Sequence, residues 1–399
     1  MRPRRVGVIF GGRSGEHEVS LASAASVIAA LQKRGHTVVP IGIGRDGRWV
    51  VGGDPMRALS EEARRALPSD DATGDVKKAL ADRAESQTGA ARPSETARPD
   101  QRQIPSALAR TEPPGGLPAE LREQMDAAVI MLHGPYGEDG TIQGLLELAG
   151  VPYTGAGVLA SAIGMDKAMM KTVFRAHGLP IVPHIVVMRR EWEADPKAVG
   201  ARVEKEIGFP CFVKPANLGS SVGISKASGP DALPAAITEA ARHDRKIIVE
   251  HAVTAREIEV SVLGNDAPEA SLPGEIVYTG EWYDYETKYM EGLARLVVPA
   301  AVSPAVTARF RALAVEAFRA IDAAGMARVD FFLEHGSPAT GGPPTSLEDE
   351  ARIYVNEINT IPGFTSTSGY AKMWEASGLD YASLIDRLVE LALERHAGR

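Results

Sequence analysis

The chain has 399 residues, 44% of them hydrophobic and 24% charged, an ordinary globular composition with room for more than one domain. Its net charge of -8 argues against a nucleic-acid or anionic-membrane binder, while acidic sites for a Mg-nucleotide remain compatible with it. Its one cysteine, Cys211, rules out an intrachain disulfide, and the apolar setting FPCFV marks a buried structural thiol.

In chain order, the basic start MRPRR precedes only five apolar residues, VGVIF, so no targeting signal is read and a cytoplasmic protein is expected. Residues 6–10 form a short strand, 11–15 a Gly-rich turn and 19–31 an Ala-rich helix, the opening of an α/β domain. Spacing alone would use Glu16 to complement the helix dipole. A second strand covers residues 37–43. Gly42 to Gly47 matches G-x-G-x-x-G, but Arg48-Trp49-Val50-Val51 after it reads as a strand, so this is a hairpin turn and not a dinucleotide fingerprint. Residues 55–121 hold no aromatic residue and are rich in Ala, Arg, Glu, Asp, Ser and Pro. They read as a flexible insertion with a helix near 61–67.

Residues 126–132 form the next strand, leading into HGPYGEDGTIQGLLE, where Glu138 and Asp139 brace a helix start. On its own His133 reads as a satisfied turn histidine. Residues 148–165 are uncharged over 18 positions but contain Pro152 and four glycines, so they are not a membrane span. Asp166-Lys167 opens a helix that Gly178 ends. FPCFVKPANLGSSVGI supplies a buried strand, Lys214 at its end, and small residues whose N–H groups can approach a polyphosphate. No Walker A motif occurs.

KIIVEH and EIEVSVL are two further strands, and YDYETKY has the alternation of an amphipathic strand. Helical spacing covers residues 306–323 and 382–396, with a Gly/Pro-rich loop over 334–352 between them. ARVDFFLE and IYVNEINTIPGFTSTS are strand-like. Alternation puts Arg328 and Asp330 on one face, and Glu357 and Asn359 on one face. Two carboxylates and an amide oxygen suit Mg²⁺, with Arg328 beside any anion the metal holds.

These motifs, in this order and over nearly the whole chain outside residues 55–121, resemble the D-alanine–D-alanine ligase family of ATP-grasp enzymes. The resemblance implies an N-terminal open parallel α/β domain followed by a two-part ATP-grasp fold that holds ATP between two β-sheets. The expected divisions are residues 1–153, with 55–121 inserted, 154–250 and 251–399. It implies ligation of two D-alanines through an acyl phosphate, for peptidoglycan precursors, with ATP and two Mg²⁺ ions that Mn²⁺ can replace. D-Alanine and ATP are the small-molecule partners, with no nucleic acid or membrane, and a homodimer is expected. The alternatives are a D-alanine–D-lactate ligase or another ATP-grasp amino-acid ligase.

The same resemblance implies the following roles. Glu16 holds the ammonium of the first D-alanine, and His133 lines the substrate pocket. Lys167, Lys214, Ser220, Ser221 and Lys288 meet phosphate, Glu250 and Val253 the adenine edge, and Glu257 the ribose. The metal ligands are Asp330, Glu357 and Asn359. Arg328 and the Gly363 N–H stabilise the oxyanion, and Ser368 binds the second carboxylate. Residues 283–289 become a lid rather than a strand, closed by Glu16, Ser220 and Tyr289. Gly369 stands where many relatives carry a larger apolar residue.

Overall fold

The computed structural model describes residues 2–66, 110–112, 119–219, 222–278, 294–334 and 352–398. Three β-sheets organise them. In the first, the strand Arg5–Gly11 lies between Thr37–Ile43 and Ala127–Ile130, parallel to both. The hairpin expected at Gly42 to Gly47 is present: Trp49–Val51 turns back antiparallel on Thr37–Ile43, and Arg110–Glu112 adds the edge. The sheet centre is therefore parallel and its margin antiparallel. Val6, Val8, Ile9 and Phe10 are fully buried, which accounts for the continuous apolar run of this strand.

The stretch read as an insertion contributes to this unit at both ends. The helix Pro55–Ala66 begins earlier than expected. Asp54 explains the start: its carboxylate accepts from Arg57 N at 3.0 Å, with proline in the first helical position. Leu59 is buried against the sheet, as is Leu121 at the far end. The rest of the stretch, residues 67–109 and 113–118, lies outside the described residues, as do residues 283–289, expected as a lid, and residues 335–351 of the expected loop.

The second sheet is antiparallel, ordered His184–Met188, Lys246–His251, Cys211–Pro215, Ser225–Ala227. The helices Pro196–Glu206 and Leu233–His243 cover one face through Val199, Val203, Leu233 and Ile237. The third, six-stranded among the described residues, is antiparallel and ordered Ala294–Val297, Gly274–Tyr278, Ala255–Gly264, Gly325–Glu334, Arg352–Asn359, with Glu269–Ala270 paired on Ala255–Gly264. Its core takes in Ala160 of Val158–Met165, Met170 and Phe174 of Lys167–Ala176, and Phe310 and Phe318 of Pro304–Ala320.

The two ends of the chain meet. The last helix, Tyr381–Ala397, buries Leu384, Ile385, Leu388, Val389 and Leu391 in the same core as the first sheet. Asp386 on that helix accepts from Arg34 Nε at 2.6 Å and pairs with His36 Nε2 at 3.0 Å. Gly325, at φ +71, shows how tightly the units fit: a Cβ there would stand 2.8 Å from the backbone N of Gly155. No helix among the described residues is long and apolar enough to cross a membrane.

Candidate active site

A cavity of about 630 Å³ lies where the second and third sheets face each other and the first unit closes one end. Glu16 and His133 line it from the first unit, Lys214 and Glu250 from the second sheet, and Glu257, Arg328, Asp330, Glu357 and Asn359 from the third. Lys167, Val253, Gly363, Ser368 and Gly369 line it too. The structure thus gathers every expected site residue that it describes. Ser220, Ser221, Lys288 and Tyr289 fall outside the described residues.

At the first unit's end, Glu16 is the N-cap of the helix His17–Lys33, yet its side chain makes no capping bond. Its carboxylate sits against the HGPYGEDG turn. Gly134, at φ +72, permits this, because a Cβ there would come within 3.1 Å of Glu16 Oε2. His133 is buried, with Nδ1 3.0 Å from the Ile361 carbonyl and Nε2 3.2 Å from Ser23 Oγ. It ties the first unit to the Pro362-Gly363 turn. Asp139 accepts from Thr141 N at 3.0 Å, bracing the helix Thr141–Ala149 as its position suggests.

At the opposite end, Asp166 caps the helix Lys167–Ala176 by accepting from Ala168 N and Met169 N at 3.1 Å. This cap presents Lys167, whose Nζ donates to the Leu218 carbonyl at 2.8 Å and stands 3.3 Å from Glu357 Oε2. Glu250 is buried between two lysines: Lys171 Nζ is 2.8 Å from Oε1 and Lys214 Nζ 2.6 Å from Oε2. Burial alone would raise the Glu250 carboxyl, but the two ammonium groups outweigh it and hold it well below the usual carboxylate range. Glu257 accepts from the Tyr278 hydroxyl at 3.2 Å, and burial pushes its carboxyl up to about 7.

The centre is acidic. Asp330 pairs in register with Glu357, and Arg328 with Asn359, so all four side chains occupy neighbouring positions on two adjacent strands. Arg328 grips Asp330 with two hydrogen bonds, Nε to Oδ1 at 2.7 Å and Nη2 to Oδ2 at 2.6 Å, and lies 3.2 Å from Glu259 Oε1. Asn359 Nδ2 donates to Asp330 Oδ2 at 3.0 Å. Burial raises the Asp330 carboxyl to about 7 against the opposing Arg328 guanidinium, and Glu259 and Glu357 add smaller repulsions. No trio of His, Cys, Asp and Glu side chains stands ready to cage a metal among the described residues. The set Asp330, Glu357 and Asn359 fits a hard cation, because two carboxylates and an amide oxygen stand at neighbouring positions on adjacent strands.

Beside this centre, Ser368 is the N-cap of the helix Gly369–Ala376, and its Oγ accepts from Thr365 N at 2.9 Å. A hydroxyl at a helix N-terminus suits a carboxylate ligand. A Cβ on Gly369 would come within 3.0 Å of Glu259 Oε2 and 3.5 Å of Leu296, so the missing side chain is what lets Glu259 lie along this wall.

Sequence reasoning passed over three residues. Lys171 falls one helical turn after Lys167, a spacing that shares a face. Glu259 follows Glu257 by two in a strand, which also shares a face. Tyr278 has no pattern that would have marked it.

A family model described as D-ala D-ala ligase N-terminus matches residues 5–156, and one described as D-ala D-ala ligase C-terminus matches residues 173–390. The chain is 45% identical over 402 residues to the D-alanine–D-alanine ligase of Heliobacterium modesticaldum, covering 99% of this chain and 96% of that one. It is 45% identical over 394 residues to the D-alanine–D-alanine ligase of Deinococcus radiodurans, covering 98% and 99%. Among solved structures, the D-alanine–D-alanine ligase of Coxiella burnetii superposes with a TM-score of 0.72 at 34% identity, covering 100% of this chain and 96% of that one. The VanG D-Ala:D-Ser ligase of Enterococcus faecalis superposes with a TM-score of 0.71 at 30% identity, covering 98% and 100%.

Proposed function

This chain belongs to the D-alanine–D-alanine ligase family, and from that premise we infer how its cavity works. The protein is an ATP-dependent ligase that joins two D-alanines into D-alanyl-D-alanine for peptidoglycan synthesis. The observation that carries the mechanistic reading is the convergence of charge in one cavity: Lys167 and Lys214 reach it beside Glu357 and Glu250, and Arg328 stands among carboxylates where the third sheet meets the Pro-Gly turn.

A carboxylate resists attack by an amine because of its own charge, so it must first gain a leaving group. The carboxylate of the first D-alanine, its ammonium held by Glu16 beside His133, attacks the γ-phosphorus of ATP. An O–P bond forms, the β–γ bridging P–O bond breaks, and ADP leaves. Lys167, Lys214 and Lys288, with Ser220 and Ser221, hold the phosphates. Glu250 and Val253 border the adenine, and Glu257 accepts from the ribose hydroxyls. Asp330, Glu357 and Asn359 would hold two Mg²⁺ ions, or Mn²⁺ in their place, which when bound offset phosphate charge.

Ser368 binds the carboxylate of the second D-alanine, whose amine attacks the acyl carbon. The guanidinium of Arg328 and the N–H of Gly363 stabilise the resulting oxyanion. Its collapse breaks the carbon–oxygen bond to phosphate, and the proton that the amine loses passes to the departing phosphate. Glu16, Ser220 and Tyr289 close the lid over the site, excluding water that would hydrolyse the acyl phosphate.

The divisions 1–153, 154–250 and 251–399 belong to this reading. So does a homodimer, for which the exposed Leu148, Leu159 and Met169 offer apolar surface. The need for ATP argues for a cytoplasmic location.

The test is ADP and phosphate release from ATP with a panel of D- and L-amino acids and D-hydroxy acids, with products quantified. D-Alanyl-D-alanine should dominate even when D-lactate competes. A depsipeptide as main product, or no D-alanine-dependent ADP, would overturn the reading.

A further inference from the structure

Lys171 is a buried charge for which the mechanism has no use. It lies in the helix Lys167–Ala176, one turn beyond the phosphate lysine, with a side chain 1% exposed. It makes no ion pair among the described residues other than the one with Glu250. Lys214 holds the other Glu250 oxygen and, unlike Lys171, lines the cavity. One carboxylate therefore sits between two ammonium groups, one facing the cavity and one behind it.

We propose that Lys171 is a positioning residue for the polyphosphate of ATP: it neutralises Glu250 from behind and so leaves the charge of Lys214 to act on the phosphates. The count is simple. With both lysines the trio has a net charge of one positive unit, delivered at the cavity wall by Lys214. Without Lys171, Lys214 and Glu250 form a closed neutral pair, and the phosphates meet no net charge there. A buried lysine costs desolvation, which lowers its ammonium from the ordinary value while Glu250 opposes the fall. An apolar residue would fill the same space without that cost, so filling space does not account for a lysine.

The proposal rests on the nucleotide reading above, and the test separates the two. Calorimetric affinities for ATP, ADP and adenosine are measured on the unaltered protein and on Lys171→Gln, Lys171→Met and Lys171→Arg. ATP binding by the unaltered protein tests the nucleotide reading; its failure would remove that reading and the proposal together. The proposal itself is tested by the ratio of ATP to adenosine affinity. Glutamine keeps a polar group beside Glu250 but carries no charge. Lys171→Gln should lower ATP affinity roughly tenfold and ADP affinity less, with adenosine within about twofold, as expected for a charge effect that scales with phosphate number. Lys171→Arg should restore the ratio. Lys171→Met should match the glutamine variant, and if methionine does not fold there, the Gln and Arg pair decides. An unchanged ratio in Lys171→Gln, or an equal loss for all three ligands, would overturn the proposal and leave Lys171 a packing residue.

Discussion

Replacing Glu257 by glutamine is expected to stabilise the ligand-free protein while weakening its hold on ATP. Glu257 lies on the strand Ala255–Gly264, with Oε1 accepting from Tyr278. Burial, then Asp330 and Glu259, move its carboxyl from 4.5 up to about 7, against the opposing Tyr278 hydrogen bond. A carboxyl whose folded value lies above its unfolded value contributes stability that is fully present below the unfolded value, 4.5, and lost as pH rises through the folded value, about 7. Moving from 4.5 to about 7 corresponds to about 3 kcal/mol. Solvent at the cavity wall reduces this to about 2 kcal/mol. Glutamine resembles the protonated acid at every pH, so urea unfolding at pH 8 should show Glu257→Gln more stable by that amount. At pH 5 the gain should be less than half as large, because the native carboxyl is then protonated in the folded protein. ATP affinity should fall about tenfold, since the ribose hydroxyls lose a charged acceptor. A stability gain equal at pH 5 and pH 8, or a loss at pH 8, would refute the reasoning.

Three other expectations rest on separate contacts. Arg328→Ala should reduce kcat by roughly 10²–10³ with the KM for ATP within a few-fold, and Arg328→Lys should not recover it, because one ammonium cannot reproduce the two bonds to Asp330; a steady-state kcat for the lysine variant within about threefold of the unaltered protein would contradict this. Glu357→Ala should abolish Mg²⁺-dependent ADP release while circular dichroism stays native, and turnover retained at saturating Mg²⁺ would remove Glu357 from the metal set. Burial pushes the Cys211 thiol up to about 11, so it should react with a disulfide reagent at pH 8 at least about a hundredfold more slowly in native protein than in urea; equal rates would show the strand Cys211–Pro215 to be open.

What the sequence determined by itself was local and periodic. Val6 to Phe10 had to be a buried strand, and Arg328, Asp330, Glu357 and Asn359 had to alternate onto shared faces, because strand side chains repeat every two residues whatever surrounds them. The hairpin at Gly42 to Gly47 was legible for the same reason: the residues after it suit a strand and not a helix. Glu16, Lys167 and Ser368 were legible only through long motifs, since a glutamate or lysine at a helix start has an ordinary solvent role as well. Tertiary structure decided what distance along the chain conceals. It seats the last helix on the first sheet through Asp386 and His36, 350 residues apart. It turns the start of residues 55–121 into core through Leu59, where composition suggested only an insertion. It also places Lys171 against Glu250, and Glu259 between Arg328 and Gly369. Charge pairing depends on separation in space and on desolvation. Neither quantity is written in a residue's identity or in its spacing along the chain.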